Sequence, residues 1–219
     1  HHKNIMHKYY KTHTKFYISV DCIIFGFTDG ALKLLIQERP YEPGKGLLSL
    51  IGGFVEVDES IDDAAKRVLA EFTGLDNTYM RQLGAFGDVE RDPGERVVSV
   101  VYYALINVNE YKRTIEGNAR WIDIENLPSL CFDHNLMVEK ALTKLKENLA
   151  DEPIGMNLLP KYFTLTQLQT LHECILGTSI DKRNFRRKIM EQGYVVKTNM
   201  IDKKTSRRGA SLYKFDNKS

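Results

Sequence analysis

Apolar residues follow two kinds of spacing along this chain, and the spacing typical of β-strands dominates its first part. Runs rich in β-branched and aromatic residues predict strands at residues 16–27, 32–36, 47–51, 79–87, 97–106 and 120–124. The Asp29-Gly30 pair between the first two runs predicts a hairpin turn. The Gly52-Gly53 pair ends the third run.

Two segments of the same part carry apolar residues at helical spacing instead. Residues 61–72 predict a helix with Ser60 as its N-cap, two acidic residues in its first turn and Gly74 at its end. Residues 134–149 predict a second helix. Because strands and helices mix through residues 15–150, we predict an α+β fold in which a sheet lies between helices as an α/β/α sandwich.

The remaining residues predict a smaller domain of a different kind. Residues 151–160 contain prolines and glycine and predict a linker. A capping box at Thr164 then opens a helix, a second helix covers residues 182–192, and strands are predicted at 194–198 and 211–215. Helix, turn, helix and hairpin in this order predict a winged helix-turn-helix over residues 161–219. Residues 1–14 are interpreted as a polar arm or a cloning remnant.

The charge of the chain divides at the same place as its elements. The whole sequence has a net charge of +2, but residues 153–219 hold 13 basic and 5 acidic residues, which gives +8. The preceding residues then carry −6, so only the second domain is suited to a polyanion. Apolar residues make up 42% and charged residues 27% of the 219, which excludes a fibrous or wholly disordered chain.

Compartment and membrane contact are also predicted from the composition. No apolar run reaches the ~18 residues of a transmembrane helix. The three cysteines form no CxxC pair, so we expect neither a disulfide framework nor a zinc site. These features predict a cytoplasmic protein that does not bind membranes.

The second predicted helix of the small domain is the densest basic segment of the chain. Phe185 and Ile189, four residues apart, are expected to face the core, which leaves the basic side chains on the surface for the major groove of DNA. A second basic cluster lies on the turn of the hairpin. The candidate DNA-binding residues are Lys182, Arg183, Asn184, Arg186, Arg187, Lys188, Lys203, Lys204, Arg207, Arg208 and Ser211. A merely solvated basic helix is the alternative.

A spaced motif in the first domain is specific enough to name a family. Seven residues are spaced as in the pattern G-x5-E-x7-R-E-U-x-E-E-x-G-U, namely Gly53, Glu59, Arg67, Leu69, Glu71, Gly74 and Leu75. This pattern is the Nudix box. The first domain therefore resembles the Nudix family. The resemblance implies that Glu59 and Arg67 pair to shape the turn between loop and helix.

The departures from this box concern its chemistry. In the family, carboxylates at positions 68, 71 and 72 share one helical face and hold divalent metal, but this chain has Val68, Glu71 and Phe72. Mg²⁺ requires oxygen ligands and does not accept a valine or a phenyl ring in their place. We therefore expect a domain that binds a ligand without hydrolysing it, with no catalytic residues, no metal and no cofactor. A divergent hydrolase that uses Glu56, Asp62 or Asp63 is the alternative.

A degenerate Nudix box followed by a winged helix is similar to the Nudix-related transcriptional regulators of bacteria. Residues 91–100, 157–169 and 181–188 carry this resemblance. It implies a homodimeric repressor that binds double-stranded operator DNA and senses a metabolite. Residues 20–27 and 211–215 resemble the AraR-type branch of Bacteroidetes, which senses L-arabinose, whereas another branch senses ADP-ribose. An RNA-binding accessory protein is a further alternative.

The loss of the metal-binding face favours a neutral sugar as the effector. ADP-ribose carries a dianionic pyrophosphate, which metal or basic side chains usually offset, whereas a sugar needs hydrogen bonds and an apolar wall. The candidate ligand-binding residues are Gly52, Gly53, Glu71, Phe72, Asp88, Arg91 and Trp121. For Phe72 and Trp121, a place in the core is the simpler interpretation.

Overall fold

The computed structural model describes residues 8–112 and 118–216, which form a mixed sheet between helices followed by a small helical domain with a two-stranded wing. The strands are β1 (Tyr17–Thr28), β2 (Ala31–Glu38), β3 (Leu48–Ser49), β4 (Ile51–Phe54), β5 (Tyr79–Phe86), β6 (Val97–Leu105), β7 (Arg120–Asp123), β8 (Val195–Asp202) and β9 (Ala210–Phe215). The helices are α1 (Ile61–Thr73), α2 (His134–Asn148), α3 (Gly155–Leu158), α4 (Leu165–Leu176) and α5 (Lys182–Gln192). Most of these bounds lie within two residues of those predicted.

Strand β1 organises the large sheet because it has partners along both of its edges. It runs parallel to β6 over nine residue pairs, from Tyr17 to Phe25. On its other edge, its first half pairs with β4 and its second half pairs with β2 across the predicted Asp29-Gly30 turn. Both turn residues have positive φ, at 53° and 70°. The divided edge places Gly52 and Gly53 directly beside Asp21 and Val20.

Successive residues of β1 face opposite sides of the sheet, and a helix covers each side. On one side, Cys22 and Ile24 pack with the buried residues of α1, including Val68. On the other side, Ile23 and Phe25 pack with residues of α2. The predicted α/β/α sandwich is therefore confirmed.

The second domain has the predicted order of helix, helix and hairpin. Thr164 and Gln167 form the capping box of α4, and the side chain of Asp181 accepts the first-turn N–H of Asn184 at 2.9 Å to cap α5. Strands β8 and β9 pair as the wing. The winged helix is thereby confirmed as the fold of this domain. Within the described ranges, every helix is too short or too polar to cross a bilayer.

The predicted linker differs from expectation because it is packed. Ile154, Leu158 and Leu159 are buried, and residues 155–158 form the helical turn α3. These side chains belong to one apolar cluster that runs from the sheet through α2 to α4 and α5. Of the predicted arm, residues 8–11 are helical, while residues 1–7 lie outside the described residues, as do the last three of the winged helix domain.

Candidate functional site

The Nudix box residues Glu59 and Arg67 hold the loop against α1. The Arg67 guanidinium donates to both carboxylate oxygens of Glu59, at 3.0 and 2.7 Å, and to the carbonyl of Phe54 at 2.9 Å. These hydrogen bonds from Arg67 lower the pKa of Glu59 to about 2. The pair therefore has the structural role that the resemblance implied.

The metal-binding face of the box does not fit a divalent cation in this chain. Val68 is only 1% exposed and lies in the core, and Phe72 packs against the same cluster. Glu71 remains, with its side chain 41% exposed and 3.4 Å from Arg67. The described part of the chain contains no group of three or more histidine, cysteine or acidic side chains placed to hold a metal ion, and this includes Glu56, Asp62 and Asp63.

A cavity of about 680 Å³ opens beside this degenerate face. It is bounded by the first half of β1, by β4, by the loop that follows β2 and by the start of α2. Five of the seven candidate ligand-binding residues line it, namely Gly52, Gly53, Glu71, Phe72 and Arg91. Most of the predicted residues are therefore brought together around one space.

Asp88 and Trp121 do not line this cavity. The Trp121 ring packs edge-on against Tyr111, with 5.4 Å between centroids, and lies against the position where Gly26 lacks a side chain. It belongs to the cluster on the α1 side of the sheet, which is the simpler interpretation given above. Asp88 is exposed, and its backbone carbonyl accepts hydrogen bonds from Arg91 and Arg96.

Arg91 lines the cavity, but its charge is already paired. Its guanidinium donates two hydrogen bonds of 2.9 Å to the carboxylate of Asp133, and its side chain is 3% exposed. A third, longer bond of 3.4 Å reaches the carbonyl of Val97. Although burial opposes the charged form, the bonds and charge of Asp133 keep the pKa of Arg91 above its ordinary value. Arg91 thus ties the loop before β6 to the start of α2.

A buried polar group that the sequence analysis missed forms part of the cavity wall. Asp21 accepts a short hydrogen bond from the hydroxyl of Ser99, and its other carboxylate oxygen lies 3.6 Å from Nε2 of His134. The backbone N–H of Leu50 donates to Nδ1 of that histidine at 3.1 Å, and burial lowers the pKa of His134, so the ring is neutral. An acidic residue inside an apolar run, such as Asp21 in β1, was the available signal.

Gly52 is required at this wall because of the same aspartate. A Cβ added to Gly52 would lie 2.5 Å from the Oδ1 atom of Asp21 and 2.7 Å from the carbonyl oxygen of Val20. At Gly53 the nearest atom would be the Cγ2 atom of Val68, at 3.2 Å. The absence of a side chain at Gly52 therefore lets β4 approach Asp21, whereas the surroundings of Gly53 leave more space for a side chain.

Aromatic and basic side chains from two loops complete the cavity. The Arg39 guanidinium lies over the ring of Phe132, 4.9 Å from its centroid, and Tyr41, which is 72% exposed, lines the same cavity. Neither Arg39 nor Tyr41 is among the ligand-binding residues predicted from the sequence. An arginine and a tyrosine next to prolines and glycines in a loop were a weak signal, because such residues are common on surfaces.

The candidate DNA-binding residues form a basic surface on the winged helix. Phe185 and Ile189 are buried as predicted, and the basic residues of α5 are exposed except for Arg186, which is half-buried. With 100° per residue, Arg183 and Arg187 lie opposite the buried pair and point farthest outward. On the wing, the basic residues Lys203, Lys204, Arg207 and Arg208 are exposed, and Ser211 is half-buried.

Known proteins resemble both domains of this chain. Residues 15–141 match the NUDIX domain, and residues 155–215 match the NrtR DNA-binding winged helix domain. Over 204 residues the chain is 35% identical to the ADPR responsive transcriptional repressor NtrR of Acinetobacter baylyi, which covers 90% of this chain and 81% of the relative. Over 126 residues it is 32% identical to the ADP-ribose pyrophosphatase of Methanocaldococcus jannaschii, which covers 57% of this chain and 75% of the relative.

Solved structures agree with this assignment across both domains. Shewanella oneidensis NrtR complexed with a 27mer DNA superposes with a TM-score of 0.79 at 31% identity, covering 91% of this chain and 93% of that one. The NUDIX domain of the same protein complexed with ADP ribose gives a TM-score of 0.56 at 32% identity, covering 62% and 92%. The chain therefore belongs to the family of NrtR-type transcriptional regulators, in which a Nudix domain precedes a DNA-binding winged helix.

Proposed function

We propose that this protein is a DNA-binding repressor whose Nudix domain binds ADP-ribose and thereby changes its affinity for operator DNA. The observation that supports this most directly is the 680 Å³ cavity, which lies beside a Nudix box that has lost its metal-binding face. Such a cavity can hold a nucleoside diphosphate derivative without the cation needed to cleave it. The similarity to ADP-ribose-responsive relatives supports the same effector.

The volume and lining of the cavity support ADP-ribose rather than the L-arabinose that the sequence favoured. The cavity volume falls within the range of sites for drug-sized ligands. Its lining combines aromatic rings, such as Tyr41 and Phe132, with the Arg39 guanidinium. Aromatic faces suit a purine as well as a sugar, but an arginine suits a phosphate, and a neutral pentose has no charge for it to pair with.

The winged helix would bind DNA through the outward face of α5. In this proposal Arg183 and Arg187 reach base edges in the major groove, while the basic residues of the wing contact phosphates. A homodimer would present two such helices to half-sites about one helical turn apart, ~34–36 Å. Exposed apolar residues near the start of β1 and the end of β4 offer a surface for the second copy. They include Tyr17, Ile18, Phe54 and Val57.

An electrophoretic mobility shift with DNA from upstream of its own gene tests the proposal. We expect the protein to retard this DNA, and we expect ADP-ribose to release it while L-arabinose has no effect. The double variant Arg183→Ala, Arg187→Ala should lose the shift but keep ADP-ribose binding, as measured by calorimetry. Arg81→Ala, an exposed arginine of β5, is the matched control and should leave both unchanged. Release by arabinose and not by ADP-ribose would overturn the effector assignment.

Hydrolysis of ADP-ribose is the second candidate function, because one relative is an ADP-ribose pyrophosphatase. The donor set of the box argues against it, since one carboxylate does not replace three. Incubation of the full chain with ADP-ribose and Mg²⁺ or Mn²⁺, followed by chromatography for AMP, measures this directly. We expect no AMP above the level without protein. Metal-dependent release of AMP would show that the protein is an enzyme.

A further inference from the structure

We propose that Arg39 supplies the positive charge for the ligand's pyrophosphate that a metal ion supplies in catalytic Nudix domains. This inference rests on the proposed function and names the residue that would make a nucleoside diphosphate acceptable without metal. Two arginines line the cavity, Arg39 and Arg91. The geometry of the two guanidinium groups decides between them.

The guanidinium of Arg91 has few free hydrogen-bond donors for a ligand. Both of its short hydrogen bonds go to Asp133, and its side chain is 3% exposed. Its charge is therefore neutralised inside the protein. A ligand phosphate could use Arg91 only by breaking this ion pair and leaving a carboxylate unpaired, which is costly for a buried pair.

Arg39 is oriented by the protein but keeps most of its donors. Its Nε donates to the carbonyl of Pro43 at 2.6 Å, and its guanidinium carbon lies over the ring of Phe132, 4.9 Å from the centroid. Among the described residues, its two terminal nitrogens have neither an ion pair nor a hydrogen bond. A guanidinium that is fixed at Nε and held over an aromatic ring presents its two terminal nitrogens as a fork, which matches two phosphate oxygens.

The backbone beneath Arg39 is held in an uncommon conformation. Phe132 has a φ of 52°, in the left-handed region that bulky side chains rarely adopt. The ring lies edge-on to His134 as well as under Arg39, with 5.8 Å between the ring centroids. Strain of this kind persists where the surroundings enforce it, and it is common at ligand sites. Here the strained backbone places the ring of Phe132 under Arg39, the arginine of the cavity lining whose charge is not paired with a carboxylate.

The three described carboxylates that line the cavity, Asp21, Glu71 and Asp92, all lie outside ion-pair distance of Arg39. Asp21 is bonded by Ser99, and Asp92 accepts the backbone N–H of Gly94 at 2.8 Å. Glu71 lies 3.4 Å from Arg67 on α1. The positive charge of Arg39 therefore remains available to an anion entering the cavity.

Calorimetric titration of ADP-ribose into the full chain, without added metal, tests this inference. We expect Arg39→Ala to weaken binding by about 10- to 100-fold, the range for losing hydrogen bonds to a charged group. Arg39→Lys keeps the charge but not the fork, and should recover part of the affinity. Arg81→Ala is the matched control, since Arg81 also lies over a ring, that of Tyr79 at 4.3 Å, but outside this cavity.

Salt dependence separates a charge role from a packing role. Raising NaCl from 50 to 500 mM should weaken ADP-ribose binding by the wild type more than by Arg39→Ala. Thermal unfolding identifies any variant that does not fold. If Arg39→Ala does not fold, the ADP-ribose affinity of Arg39→Lys decides the test instead. Equal affinity of Arg39→Ala and wild type would overturn the inference while the proposed function stands, and so would a weakened variant with undiminished salt dependence. Failure of the wild type to bind ADP-ribose would overturn both.

Discussion

Replacing Arg91 tests how far the cavity wall depends on one buried ion pair. In Arg91→Met, the aliphatic volume is kept while the carboxylate of Asp133 loses both 2.9 Å hydrogen bonds. Breaking a buried pair by removing one partner costs about 3–5 kcal/mol. Because the side chain of Asp133 is 20% exposed and can regain some water, we expect about 2–4 kcal/mol. Such a loss is a large part of the 5–15 kcal/mol of a typical domain.

The assay is urea unfolding of wild type, Arg91→Met, Asp133→Asn and the double variant. The double variant should lose less free energy of unfolding than the two single variants together, because both single changes break the same ion pair. We expect a coupling energy of about 1–3 kcal/mol. A surface pair provides the control. Arg187 and Glu191 are 3.5 Å apart with side chains 59% and 63% exposed, so Arg187→Met should change stability by no more than about 0.5 kcal/mol. Similar losses from Arg91→Met and Arg187→Met would refute the reasoning.

Further changes test the contact between Gly52 and Asp21, the half-buried His172 and the basic helix α5. Gly52→Ala should destabilise the protein by about 1–3 kcal/mol, because its Cβ would lie 2.5 Å from the Oδ1 atom of Asp21. Gly53→Ala should destabilise it less, and thermal denaturation of both variants measures the difference. Burial lowers the pKa of His172 to about 4 from 6.5, so the unfolded chain binds a proton at this residue more readily than the folded chain. The free energy of unfolding should therefore fall by about 1–2 kcal/mol from pH 7 to pH 5. In urea titrations, His172→Gln should make the free energy of unfolding less dependent on pH. Arg183→Ala should weaken operator binding and reduce its salt slope by about 1 in fluorescence anisotropy, and an unchanged slope would contradict a phosphate or base contact there.

The elements of this fold could be predicted because local signals and burial agree. The hairpin turn, the capped helices and the buried pair Phe185 and Ile189 all follow from short-range spacing and cap chemistry. The packed linker could not be predicted in this way. Its prolines and glycine indicate a break in helix, but burial of Ile154 and Leu158 depends on surfaces contributed by distant elements.

Most of the residues predicted to bind the ligand line one cavity, but the sequence did not indicate that Arg39 lines it too. The box placed Gly53, Glu71 and Phe72 near one another because they are close in sequence and share a loop and a helix. The preference for a neutral sugar came from counting lost carboxylates. That count could not show that Arg39, from a separate loop, faces the same space. Long-range assembly, rather than residue type, decides whether an anion has a partner there.

The shared apolar cluster between the two domains has a consequence for the operator. A DNA-binding domain on a flexible linker could reach half-sites at several spacings, but here α5 belongs to the same apolar cluster as α2 and α4. Two copies would then offer their helices at one fixed separation and one rotational phase. Inserting half a helical turn, about five base pairs, between the half-sites would turn the second one to the far side of the duplex, beyond the reach of the protein.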